Sequence, residues 1–128
     1  MNMHQISRAV RRLKRKYDET DPFRLCQAMG IIILFVPMGT YEGACKGFFL
    51  KQSRKRSITI NSDLPEAMQR IIATHELGHA FLHAAATGVN AFHDFALFDN
   101  TSRMEYEANI FAAECLMEDA DVLERLND

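Results

Sequence analysis

The sequence predicts an α+β fold, about three strands of sheet flanked by helices, and three observations carry that reading. Apolar residues recur at helical spacing in two long stretches, one leading up to Leu82 and one from Ser102 to Met117. Upstream of both lie three short runs rich in Ile, Phe and Thr, bounded by Gly, Pro and charged residues. Helices flank these runs before and after, which gives an α+β domain.

A first helix is expected from about Gln5 to Tyr17. A short one follows Asp21-Pro22, a capping residue and then the proline that suits a first helical turn, and Gly30 ends it. Strands are expected near Ile31–Val36, Cys45–Lys51 and Ser57–Asn61. Ile31–Pro37 is too short to cross a bilayer and reads as a buried strand. The second and third strands form a hairpin around Gln52–Lys55, and without an Asn-Gly turn its loop is expected to be long. A long helix from about Pro65 to Ala85, a loop over Thr87–Asn100, a helix over Ser102–Met117 and a short tail helix after Glu118 complete the chain. No internal repeat or low-complexity segment interrupts it, and its length suits a single domain over residues 1–128.

The most informative run is Ala73-Thr74-His75-Glu76-Leu77-Gly78-His79-Ala80-Phe81. His75 and His79 sit one turn apart on one helix face. Two imidazoles there can close on a single Zn²⁺ at about 2.0–2.1 Å, with Glu76 beside them as a base for its water. The competing reading is a buried helix with two core histidines. At about 100° per residue, Met68, Ile71, Ile72, Gly78 and Leu82 lie within about 60° of His75, so both rings face an apolar interior. Two stacked neutral imidazoles are costly to bury, and a shared metal satisfies both.

Zinc needs at least one more protein ligand, and the second amphipathic stretch offers Glu105. The apolar stripe there is Met104, Ala108, Phe111, Ala112 and Cys115. Glu105 projects at its edge, and Asn109, one turn on, can accept the free N–H of a ligating histidine. Glu107 projects to the far side near Glu114, where a carboxylate is simply solvated. Glu105 also has a competing role in a capping box, Ser102-x-x-Glu105, and Asn109 could be a surface or helix-contact amide. His83 extends the histidine ladder by a turn and reads as a rim or outer residue, with a three-histidine site left open. His93, between the two helices, and Tyr106, beside Glu105, are candidates for oxyanion stabilisation or ordinary surface or packing residues.

Taken in order, Gly47-Phe48-Phe49, Ile58-Thr59-Ile60-Asn61, His75-Glu76-Leu77-Gly78-His79 and Glu105-Tyr-Glu-Ala-Asn109-Ile-Phe-Ala-Ala-Glu-Cys-Leu-Met117 resemble the successive signatures of the ImmA/IrrE-type zinc metallopeptidases. The resemblance runs from about Ile31 to Met117. It implies a small zincin-like, HExxH gluzincin-like fold, zinc on His75, His79 and Glu105, and Glu76 as general base. It also implies a role in mobile-element, phage or stress regulation, in which the peptidase cleaves a helix-turn-helix repressor encoded nearby. The chain departs from the family at Glu118, where a proline often follows Leu-Met.

Composition agrees with a compact intracellular enzyme: the formal charge is −2, near neutral for this length. Cys26, Cys45 and Cys115 form no Cys-x-x-Cys pair, and an odd number argues against a secreted disulfide framework. Cys115, on the inward stripe, reads as a small core residue. No apolar signal-peptide core follows the basic start, so the cytoplasm is expected. The basic run Arg8, Arg11, Arg12, Lys14, Arg15 and Lys16 lacks interleaved aromatics and reads as a solvated helix face, with no direct nucleic-acid binding and no membrane contact expected. The chemistry expected is zinc-dependent endopeptidase action on a protein laid as an extended strand along a sheet edge. The rival reading is a non-catalytic zinc-binding regulatory module that holds a transcription factor without cutting it. Such a module has no use for Glu76 as a base.

Overall fold

The helices begin where short polar side chains cap them. Asn2 Oδ1 accepts from the Gln5 backbone N–H at 2.8 Å while Gln5 Oε1 accepts from the Asn2 N–H at 2.9 Å, a reciprocal cap that starts α1 at Met3 (Met3–Tyr17), two residues before the expected start at Gln5. Asp21 accepts from the Arg24 N–H at 3.0 Å and opens α2 (Pro22–Ala28). Its other oxygen takes the Arg70 guanidinium at 2.6 Å, tying the start of α2 to α3 (Glu66–Leu82). The computed structural model describes residues 1–83, 91–94 and 102–127, and for 91–94 and 118–127 the backbone course alone.

Three strands lie where they are expected: β1 (Ile31–Val36), β2 (Gly47–Gln52) and β3 (Lys55–Asn61). A fourth, β4 (Ala91–Asp94), lies inside the stretch read as loop; the rest of that stretch is outside the described residues. The sheet order is β1-β3-β2-β4, with β1 parallel to β3 and the other pairs antiparallel. The hairpin loop is shorter than expected. Gln52 pairs with Lys55, leaving only Ser53 and Arg54 between the strands, and Ser53 adopts the left-handed φ of 55° that the tight turn demands. Strand pairing outweighs the modest cost of that backbone at a serine.

β1 is an edge strand, not a buried one. Ile31 is buried, but Ile32, Leu34, Phe35 and Val36 are all exposed, because β1 pairs on one side only and α2 covers just part of it. Asn61, at the end of β3, is fully buried and fully used. Its oxygen accepts from the N–H groups of Met38 and Asp63 at 3.0 Å, and its amide donates to the carbonyls of Gly39 at 2.8 Å and Cys45 at 3.0 Å. The side chain thus replaces the ladder partners that the 37–46 connection lacks.

α2 and α3 cover the sheet, α4 (Arg103–Asn127) packs on α3, and α1 packs on α4. The core joins Val10 and Leu13 of α1, Phe49, Ile58 and Ile60 of the sheet, Ile72 and Leu77 of α3, and Phe111 of α4. α4 continues through Glu118 rather than breaking there, as no Gly or Pro interrupts 103–127. Five residues of the basic run are exposed as expected, but Lys14 is buried and donates to the Cys115 carbonyl at 2.9 Å. Cys115 is a core residue. No described helix is long and apolar enough to cross a membrane.

Candidate metal centre

α3 runs between the sheet and α4, so its histidine face lies within the described fold. Every residue from Ile72 to Ala80 is buried, His75, Glu76 and His79 among them. α4 reaches this helix closely because of Gly78: a Cβ added there would lie 3.1–3.2 Å from Phe111. That approach carries Glu105, at the start of α4, onto the histidines. His75 Nε2 lies 3.1 Å from Glu105 Oε2, and His79 Nε2 lies 2.9 Å from Glu105 Oε1.

One donor atom from each of the three residues falls within 4.8 Å of the other two. Donors on a tetrahedral zinc at 2.0–2.1 Å stand about 3.3 Å apart, so these separations suit a small cation between them. Ser102 Oγ accepts from the Glu105 backbone N–H at 3.0 Å, which is one half of the expected capping box. The carboxylate that would complete the box turns to the histidines instead. Glu105 is thus held by its backbone at the cap while its carboxylate meets the histidines.

The donor set agrees with a cation on electrostatic grounds. Burial works to raise the Glu105 pKa, but hydrogen bonds from His75 and His79 outweigh it and hold the carboxyl well below the usual range. Burial pushes the His79 imidazole down, keeping it neutral as a ligand must be. Glu76 supplies the sharpest test. Its side chain is wholly buried, and neither carboxylate oxygen has a hydrogen-bond partner among the described residues. A bare buried carboxylate costs several kcal/mol or more, so this position calls for a water or cation beside it. The residues present fit a bound metal.

Glu107 is not solvated, contrary to its expected place on the far side of the helix. It is buried and accepts from His83 Nε2 at 3.0 Å and from the N-terminal ammonium of Met1 at 2.5 Å, with Arg103 Nε at 3.8 Å. Its neighbours are the end of α3 and the start of α1, which cover a face of α4 that a one-sided amphipathic reading leaves to water. Burial works against its charge, but the Met1 and His83 hydrogen bonds prevail and keep its pKa low. His83, also buried, sets its Nδ1 3.0 Å from His79 Nδ1, the ring nitrogen turned away from Glu105. It is thus an outer partner of His79 and not a member of the three-residue cluster.

Asn109 is buried on α4, one turn beyond Glu105. Tyr106 is 41% exposed on the outer surface. The backbone of His93 lies in β4, paired with Phe48, and its side chain is outside the described residues. Sequence reasoning misses the partnership of His83 with Glu107. The only sequence signal for it is the third histidine on the ladder, which names no partner.

Residues 26–128 match the IrrE N-terminal-like domain of the peptidase M78 family. The chain is also 34% identical over 114 residues to uncharacterized immunity region protein 2 of Bacillus phage phi105, an alignment covering 89% of this chain and 69% of that protein.

Proposed function

Because the chain belongs to the IrrE N-terminal-like family of M78 peptidases, we propose that it is a zinc-dependent endopeptidase that cleaves a helix-turn-helix repressor encoded nearby. The observation that carries this reading is Glu76: a buried carboxylate without a partner among the described residues, one position along the helix from a His-His-Glu cluster. A structural clamp needs the cluster alone. An enzyme needs the base as well. The likeness to a phage immunity-region protein supports a regulatory substrate in phage or mobile-element control.

His75, His79 and Glu105 would hold the ion. Zinc held there supplies a Lewis acid that polarises the scissile carbonyl and lowers the pKa of water from ~15.7 toward ~7. Glu76 accepts the proton of the attacking water and delivers it to the leaving amine. The substrate lies extended along the outer edge of β4, adding a strand to the sheet. β4 stands between the two ligand-bearing helices in sequence and forms one edge of the sheet, whereas β1 forms the opposite edge.

The test is co-expression with the repressor-like protein encoded beside it. Wild-type protein should yield two fragments by mass spectrometry, and Glu76→Gln should bind the same partner and leave it whole. Loss of a general base is worth about 10²–10⁴-fold in rate. A stable complex of the zinc-loaded wild type with an uncut partner would favour the non-catalytic module. Equal cutting by Glu76→Gln would remove Glu76 from its role.

A further inference from the structure

We propose that His83 and Glu107 are positioning residues for the metal centre, forming a His79–His83–Glu107 chain that fixes the ring orientation and tautomer of His79. The inference rests on the metal-binding part of the reading above and not on cleavage itself.

The atoms in the chain leave one assignment of donors. His79 Nε2 is turned to Glu105, 2.9 Å away, so this nitrogen must present its lone pair to a cation bound by the cluster. Its ring proton then resides on Nδ1, which faces His83 Nδ1 at 3.0 Å. His83 Nδ1 must accept, so the His83 proton sits on Nε2. That nitrogen meets Glu107 Oε1 at 3.0 Å, and a carboxylate can only accept. Each link is at hydrogen-bond distance, and each donor meets an acceptor. The reverse assignment fails at its last step, because it would face an unprotonated His83 Nε2 with a carboxylate.

The surroundings hold the chain in place. His79, His83 and Glu107 are all buried, so water does not compete for these bonds. Glu107 is anchored on its other oxygen by the Met1 ammonium at 2.5 Å. The two rings come from successive turns of α3, with centroids 5.1 Å apart, while the carboxylate comes from α4. The chain therefore locks the end of one ligand helix to the other, two residues beyond Glu105. A carboxylate behind a ligating imidazole raises its basicity and restrains its rotation, and loss of such a partner typically costs about 10–100-fold in metal affinity.

The experiment measures zinc affinity by chelator competition for the wild type, His83→Phe, His83→Asn and Glu107→Gln, alongside thermal melts of the metal-free proteins. Nitrogen–proton long-range NMR correlations of the zinc-loaded proteins report the histidine tautomers. In the wild type, His79 should carry its proton on Nδ1 and His83 on Nε2. His83→Phe keeps a ring but no acceptor and should lose about 10–100-fold in affinity, with the His79 Nδ1–H signal weakened by exchange. His83→Asn places an amide oxygen near the lost Nδ1 and should recover much of that affinity. Glu107→Gln should lie between the wild type and His83→Phe, and it tests the chain should His83→Phe fail to fold.

Unchanged affinity in both His83→Phe and Glu107→Gln would overturn the proposal. So would losses in all variants that merely track their metal-free melting temperatures, which would reduce the chain to packing. A wild type that binds zinc and shows these tautomers but cuts no partner would support the chain while sinking the peptidase reading.

Discussion

Replacing Gly78 with alanine probes the contact that brings α3 and α4 together. The added Cβ would stand 3.1 Å from Phe111 Cδ1 and 3.2 Å from its Cβ and Cγ. Carbon atoms prefer about 3.5–4.0 Å, so the site is short by a few tenths of an ångström. Phe111 is fully buried and cannot swing aside, so α4 itself must retreat. Overpacking of this kind costs about 1–3 kcal/mol. Alanine returns about 0.5–1 kcal/mol through better helix propensity. The net is a destabilisation of about 1 kcal/mol, or a Tm lower by about 3–5 °C for a domain of this size.

The larger consequence falls on the metal. Glu105 lies on the same helix less than two turns before Phe111, and its contacts to the histidines are only 2.9 and 3.1 Å long. The same retreat draws the carboxylate away from them, and zinc affinity should fall by about tenfold, equivalent to about 1.4 kcal/mol. Melts of metal-free protein and chelator competition separate the two effects. A higher Tm with unchanged zinc affinity would show that the helices have room to spare, and the argument from close approach would fail.

Three further outcomes can be checked. Asn61→Ala strands four backbone groups around the 37–46 connection and should cost about 3 kcal/mol in urea unfolding; a loss below about 1 kcal/mol would mean that water takes over the amide's role. Metal-free protein should lose stability on acidification in two stages. The folded pKa of His79 is lowered, so its contribution is present above the unfolded value of 6.5 and is lost as pH falls below it. Glu105, lowered from 4.5, gives up its contribution below that value, and Glu105→Gln should shrink the second stage in a plot of Tm against pH, with Glu107 and Asp21 supplying the remainder. Stripping metal with a chelator should lower the Tm of the wild type, adding zinc should restore it, and Glu105→Ala should abolish most of that response.

Much of the site is legible in the amino-acid order because it depends on local geometry. Four-residue spacing puts His75 and His79 on one face, and the apolar stripe of the last helix puts Glu105 at its inner edge. The fold brings these three together. Glu107 is legible only in part. Helix phase sets it apart from Glu105 and leaves it to water, whereas it meets His83 at the end of the same histidine helix. Strand positions are readable from composition, whereas the tight Ser53–Arg54 turn, the exposure of β1 and the existence of β4 are not. Each of those depends on which strand pairs with which.

The sequence by itself determined which residues share a face, since a backbone with 3.6 residues per turn orders its side chains without reference to the rest of the chain. That was enough to single out His75, His79 and Glu105 and the glutamate beside them. Only the tertiary structure decided how many neighbours each face has. α4 is covered by α3 on one side and by α1 on another, so a glutamate that periodicity assigns to water is buried against His83 and the Met1 ammonium. Periodicity records direction around one helix axis. Burial depends on contacts between segments over 100 residues apart, as the Met1–Glu107 pair is, and no local rule contains them.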